Sequence, residues 1–189
     1  MSILAEPAVR VRVVVTFLRM DEPPASPAPV LPPGVAVHYE PNCSVERYRL
    51  LYDTVGAEYC WWLRRTMPDS RLAAMLRDPR ISVYMLTVNG APGGFYELDR
   101  SGWPTVNLNY FGLMPQAVGR GFGLAFLRHA VDSAWGLGAR AMTVNTCTAD
   151  HPRALPTYLR AGFVIVRQIA EDWKVPARLG LEIPARLRG

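Results

Sequence analysis

Three glycines on alternate positions, Gly119, Gly121 and Gly123, interrupt the apolar stretch "LMPQAVGRGFGLAF" between Leu113 and Phe126. A strand pattern precedes them and a helix pattern follows. Glycine adopts left-handed backbone without steric cost, so repeated glycine at such a junction makes a tight strand-to-helix turn. The turn leaves the first N–H groups of the helix without intrahelical acceptors, and these converge on one anion, most often a phosphate. A β–α unit with a ligand at its turn is the strongest constraint in this chain.

The flanking segments extend that unit. Residues 9–20 alternate Arg10 and Arg12 against Val9, Val11 and Val13, the two-residue period of a strand. Six prolines then fall between positions 23 and 33 in "EPPASPAPVLPPG". Proline lacks the backbone donor and blocks the preceding turn, so residues 22–34 read as an irregular surface crossing, with a Pro-rich partner motif as the other reading. "VAVHYEP" supplies a short extended piece, and residues 44–65 and 69–78 read as helices. "ISVYMLTVNGAPGGFYELDR" predicts a hairpin of strands 81–88 and 94–100 turning at Asn89-Gly90. "TVNLNYFGLM" is a strand leading to the glycines, and a helix over about 121–136 follows them. "RAMTVNTCT" is the next strand, a short helix lies within 152–161, and "FVIVRQI" is the last strand. This order predicts one α/β domain over residues 1–189, with a mixed, mostly antiparallel twisted sheet flanked by helices.

Charge and cysteine content narrow the partners. The net charge of +5 and pI near 9.4 suit a phosphate-bearing small molecule. The arginines are scattered, with no long basic run, which argues against a nucleic-acid partner. Cys43, Cys60 and Cys147 form an odd set without CxxC, which argues against a disulfide framework or a metal site and points to reduced thiols in the cytoplasm. Arg10, Arg12 and Arg19 run through the N-terminal apolar stretch, unlike a signal peptide. No segment approaches the roughly 18 apolar residues of a membrane span.

Three phosphate loops compete for the glycine segment. A P-loop needs GxxxxGK[ST], and no Lys-Ser or Lys-Thr follows these glycines. A dinucleotide fingerprint needs glycine where this chain has Leu124, and an acidic residue about 20 positions on that is missing here. The remaining pattern, [RQ]xxGx[GA] after a strand and at the mouth of a helix, belongs to the GCN5-related N-acetyltransferase (GNAT) family, and "GLMPQAVGRGFGLAFL" resembles it closely. The register set by Pro115 aligns Val118 to Gly123, with Val118 where the family commonly has Arg or Gln. A frame two residues earlier, Gln116 to Gly121, satisfies the full pattern but displaces Pro115. A second segment, "DHPRALPTYLRAGF", resembles the family's closing N-E-R-A-x-x-x-Y-x-x-x-G-F helix, with His151 in the Asn place, Ala154, Tyr158 and Gly162-Phe163. The two motifs follow the family order with a strand between them. The resemblance covers roughly residues 80–167, the coenzyme-binding half.

The resemblance implies a GNAT-like fold and an enzyme that passes the acetyl group of acetyl-CoA directly to a primary amine of a small molecule or peptide. It implies that the backbone of Val118, Gly119, Arg120, Gly121, Phe122, Gly123 and Leu124 cradles the pyrophosphate at the positive end of the helix. Leu113 and Met114 would pair with the pantetheine amides, on a strand splayed from the 141–148 strand. Tyr158 falls on the family's general-acid position, the other reading being a ring that packs the short helix. Several members carry a Glu base where this chain has Asn107, which cannot take a proton at neutral pH but can hold a water. Glu97 and Asp99, alternating to one face of the adjoining strand, are the nearest acids that can activate the amine directly or through water. His151, before Pro152, suits a helix cap or a coenzyme contact.

The family shapes its acceptor site from the N-terminal half. In "EYCWWLRRTMPD", Tyr59, Trp61 and Trp62 can wall an amine pocket, with Glu58 and Asp53 as counter-charges. The alternative is an aromatic patch packing a helix on the sheet. Asn107 also motivates a rival function, an acyl-CoA-binding regulatory module with weak or no catalysis. A homodimer through a strand edge or the 59–62 aromatics is compatible with the sequence.

Overall fold

In the computed structural model, which describes residues 6–188, alternate valines give β1 (Ala8–Met20) one apolar face, and Leu18 and Met20 near its end bury the other. Val11, Val13 and Val15 are buried on one side, Leu18 and Met20 on the other. A strand buried on both faces belongs inside a sheet. β1 accordingly lies between β6 (Ala141–Cys147) and β7 (Val164–Pro176), antiparallel to both. β2 (Val35–Tyr39), β3 (Ile81–Val88), β4 (Ala91–Asp99) and β5 (Thr105–Leu113) complete the order β2-β3-β4-β5-β6-β1-β7. Every neighbouring pair is antiparallel except β5–β6.

Helices cover both faces. α1 (Val45–Gly56) and α2 (Asp69–Leu76) pack on one side through Tyr48, Leu51, Tyr52 and Leu72 against Val83, Met85 and Phe95. On the other side, α3 (Gly123–Gly136) and α4 (Ala154–Ala161) pack through Phe126, Leu127, Val131 and Tyr158 against Leu18, Leu98, Leu108 and Val144. A third cluster joins Val11, Val13 and Val15 to Ile183 and Leu187 of the C-terminal segment. Among the described residues, no helix is long and apolar enough to cross a membrane.

Several element boundaries differ from the sequence reading, among them β4, which begins at Ala91 and not at 94. The expected helix over 44–65 ends at Gly56. Trp61 folds back over the helix end, donating its N–H to Gly56 C=O at 3.3 Å, and a Cβ on Gly56 would stand 2.4 Å from Trp61 Cβ. Only glycine allows that approach. Pro156 is the third residue of α4, inside the first turn, where a missing N–H breaks no intrahelical bond. β7 is longer than "FVIVRQI" because β1 offers it a partner from Ala8 to Arg19.

The parallel pair β5–β6 is short. Its register runs from Thr105↔Ala141 to Leu108↔Val144 and stops, although both strands continue. Opposite β4 the register jumps from Glu97↔Tyr110 to Leu98↔Leu108, which makes Asn109 an extra residue in β5. Such a bulge bends a strand and increases its twist. Here it turns β5 away from β6, the splay that the resemblance implies.

Leu18→Ala, at a site 1% exposed between β6 and β7, is expected to cost about 2–5 kcal/mol of stability, read from the midpoint of urea unfolding.

Candidate active site

The glycine turn lies where β5 leaves the sheet. A 3-10 turn, Pro115–Ala117, follows Met114, and Gly119 and Gly121 take φ values of 79° and 86°. Those angles require glycine at both positions. α3 then starts at Gly123 with no side-chain cap, and its first backbone bond runs from Phe126 N–H to Phe122 C=O. The amides ahead of Phe126 are therefore open to an anion at the positive end of the helix.

Beside this turn is a cavity of about 1130 Å³ that passes through the gap between β5 and β6. Val118, Gly119, Gly121, Gly123 and Leu124 line it from the loop, and Asn107 to Leu113 from β5. Arg153 and Arg160 add positive charge, which suits an anionic ligand. The Pro-rich stretch, read from the sequence as an irregular surface crossing, contributes Pro29, Val30 and Pro32 to the wall. Among the described residues, no three His, Cys, Asp or Glu side chains are grouped to hold a metal ion.

Two expected coenzyme contacts, Met114 and the Val118 N–H, need correction, the latter because it already donates to Met114 and Pro115 C=O. Met114 is not free to pair with a ligand. Its N–H donates to Gly93 C=O, its own C=O accepts from Ala117 and Val118, and its side chain is buried under α1. Phe122 is 5% exposed and contributes no side chain to the cavity, so only its backbone is available there. Arg120 stacks its guanidinium over the Phe122 ring at 5.2 Å. Leu113 does line the cavity, and the side of β5 turned toward β6 has no partner strand beyond Leu108.

Tyr158 is 6% exposed and lines the cavity between the rings of Phe111 and Phe163. Its hydroxyl has no hydrogen-bond partner among the described residues. Burial, and next the Asp150 carboxylate, push the phenol well above its ordinary range, so it stays protonated. His151 also lines the cavity, with its ring edge-on to Tyr59, and its Nδ1 accepts Arg153 N–H at 3.0 Å, the capping arrangement.

The residues considered for the base form one chain of contacts. Thr143 Oγ1 donates to Asn107 Oδ1 at 2.8 Å, Asn107 Nδ2 to Asn109 Oδ1 at 2.6 Å, and Asn109 Nδ2 to Glu97 Oε1 at 2.8 Å. Arg64 also donates to Glu97 Oε1, at 2.8 Å, and the Tyr48 hydroxyl to Oε2. Glu97 is fully buried, with both oxygens engaged, and does not line the cavity. The expectation that it touches the amine directly is therefore corrected. Asp99 does reach the cavity and accepts Ser101 N–H at 2.7 Å.

Tyr59, Trp61 and Trp62 all line the cavity. Trp61 lies 5.3 Å from the Tyr52 ring and 5.1 Å from Tyr110, and its indole N–H donates to Asp150 Oδ1 at 3.3 Å. Trp62 packs in addition against the third cluster. Of the expected counter-charges, Asp53 pairs with Arg65 at 3.4 Å and, like Glu58, stays outside the cavity lining. Sequence reasoning missed Asp150, Arg64, Tyr52 and Tyr110. The signal for Asp150 was its place one residue before His151, in the turn between the last motif strand and helix.

Glu97→Gln removes the charge that balances Arg64, whose side chain is only 16% exposed. The expected cost is about 3 kcal/mol in denaturant unfolding, with Arg64→Met in the same background recovering part of it.

A model of the "Acetyltransferase (GNAT) family" matches residues 47–163. No curated protein matches the sequence. Among solved structures, a GCN5-related N-acetyltransferase from Sphaerobacter thermophilus is 18% identical with a TM-score of 0.61, over 90% of this chain and 53% of that one. A GCN5-related N-acetyltransferase from Kribbella flavida is 16% identical with a TM-score of 0.61, over 89% and 60%. An aminoglycoside acetyltransferase from an uncultured soil metagenomic sample is 11% identical with a TM-score of 0.59, over 75% and 96%. The chain thus spans little more than half the length of the first two. With the family model covering more than half of the sequence and the fold shared at low identity, the chain belongs to the GNAT acetyltransferase family.

Proposed function

We propose that this chain transfers the acetyl group of acetyl-CoA directly to a primary amine of a small molecule or peptide. One observation carries the reading. The unpaired edge of β5, the uncapped start of α3 and the Tyr158 hydroxyl meet in one cavity. When bound, acetyl-CoA supplies an activated thioester carbonyl. The free amides ahead of Phe126 hold its pyrophosphate, and Arg153 and Arg160 balance its charge. The open edge of β5 up to Leu113 bonds the pantetheine amides, and a main-chain N–H near Leu113 stabilises the developing oxyanion. Tyr158, protonated over the working pH range, gives its proton to the leaving sulfur.

The state of the thiols in the cavity, Cys60 and Cys147, supports direct transfer. Cys147 lines the cavity, but burial pushes its thiol up to about 12, so it is not an active nucleophile at neutral pH. Cys43, Cys60 and Cys147 are all unpaired, which suits the reducing cytoplasm. A second reading, an acyl-CoA-binding regulatory module, draws on the engagement of Asn107 and Glu97 in the buried network.

Calorimetric titration with acetyl-CoA, followed by thiol release with a panel of amines, peptides and aminoglycosides, separates the two. Binding with thiol release on one amine class is expected; binding with no release on any of them favours the module. Tyr158→Phe should bind acetyl-CoA as before and lose roughly 100-fold or more in kcat. Full retention of rate would assign the ring to packing alone. Gly121→Val, at φ 86°, should weaken acetyl-CoA binding by roughly tenfold or more in the same titration.

A further inference from the structure

We infer that Asp150 is the residue that receives the acceptor's ammonium group and takes its first proton. The binding half stands on geometry; the proton step rests on the acetyl-transfer reading above. Three carboxylates line the cavity: Asp99, which accepts Ser101 N–H, Glu171, which accepts the Trp173 indole N–H, and Asp150, the one bonded to Trp61 of the aromatic wall. Glu97 is sealed from the cavity and balanced by Arg64. Asp150 lines the cavity and has no cationic partner among the described residues. Its Oδ2 accepts Thr146 Oγ1 at 2.7 Å and Cys147 N–H at 2.9 Å, which fixes the carboxylate. Its Oδ1 accepts only the Trp61 indole, at 3.3 Å, and keeps a lone pair free.

A carboxylate held away from bulk water with no counter-charge gains strongly from a cation brought by a ligand. The titratable groups facing it are Tyr59 and Cys60 from the segment after α1, Cys147 on β6 and Tyr158 on α4, and none of them is a cation. Arg186, felt by Cys60, is tied to Thr148 C=O at 3.3 Å, and His151 is turned to Arg153 N–H. The rings of Tyr59 and Trp61 line the same cavity and add cation–π attraction. Burial holds the Asp150 carboxyl above its ordinary range, partly offset by its hydrogen bonds, which brings it closer to what a proton acceptor needs.

The acceptor class is a primary amine, cationic in solution, carried on an apolar or ring-bearing group. Its ammonium gives one proton to Asp150, which passes it to solvent. The freed lone pair forms the N–C bond and the C–S electron pair leaves with sulfur. The nitrogen's second proton replaces the one that Tyr158 gives to the thiolate, so one amide, one thiol and one solvent proton result.

The test compares benzylamine, cationic at neutral pH, with O-benzylhydroxylamine, similar in shape but neutral there. Tryptophan fluorescence reads their binding without acetyl-CoA. The wild type should prefer benzylamine at least tenfold, and Asp150→Asn should abolish that preference. In the wild type, benzylamine binding should be lost on acidification, beginning above the ordinary Asp value of about 3.9, while the amine itself stays charged. Equal loss of both ligands in the variant would mean a structural role for Asp150. That result, pH-independent binding, or no saturable benzylamine binding would each overturn the inference. Asp150-dependent binding with acetyl-CoA bound and no thiol release would instead sink the transfer reading and leave the amine site standing.

Discussion

From Asn109 onward β5 runs beside β6 without pairing to it, and a strand edge opened inside a sheet needs something to hold it open. On the α3 side the gap is propped by rings, with Phe111 packed against Phe126 and Tyr158. On the α1 side it is held by the polar chain from Thr143 through Asn107 and Asn109 to Glu97. Asn109 is both the extra residue of the bulge and the link to Glu97, so the turn of the strand and the buried carboxylate are fixed together. Arg64 and the Tyr48 hydroxyl satisfy the remaining capacity of that carboxylate. A buried charge is tolerable only with this degree of pairing.

The same network fixes the acceptor wall. Arg64 belongs to the 3-10 turn Arg64–Thr66, directly after the Tyr59–Trp62 segment. Its guanidinium lies 5.2 Å from the Tyr110 ring, and the Arg64 main-chain N–H donates to the Tyr52 hydroxyl at 3.3 Å. Trp61 rests on those two rings and on Gly56. Thus one ion pair ties the aromatic wall to the strand that opens the coenzyme gap. The charge of Glu97 is spent in holding this arrangement, which leaves Asp150, beside Trp61 and without an ion pair among the described residues, as the carboxylate at the aromatic wall.

Local signals were legible where the backbone itself demands a residue type. Gly119 and Gly121 sit at positive φ, and Asn89-Gly90 turns the hairpin with both residues at positive φ, as the sequence predicts. The valine alternation of residues 9–20 marked a strand, but period alone does not say where in a sheet a strand lies. The end of α1 was missed because Gly56 acts through a contact with Trp61 five residues on, which no propensity encodes. Glu97 and Asp99 do share a face, as their alternation predicts. What separates them is Arg64, brought in from a different element, so accessibility was not legible. Asp150 was overlooked for the same reason: its significance lies in the absence of a cation around it, a property of the packed fold.

The placement of β1 explains why the N-terminal segment bears on the coenzyme side at all. β1 is the sixth strand in the sheet and β2 the first, so the connection must cross five strand spacings, about 24 Å at roughly 4.8 Å each. Residues 21–34, extended at about 3.1 Å per residue, reach about 43 Å, enough to arch over α3 on the way. Leu31 packs on the α3-side core and Arg128 of α3 donates to Ser26 C=O, which pins the arch. Proline stiffens it and lowers the entropy lost on ordering. The arch brings Pro29, Val30 and Pro32 to the cavity. Yet β1 itself bonds to residues far along the chain, Val14 N–H to Thr148 Oγ1 across 134 positions. Closing so long a loop is slow compared with forming the β3–β4 hairpin. The proline wall is thus an arch tied at one end to β1, between β6 and β7, at the other to β2, and pinned between them on α3.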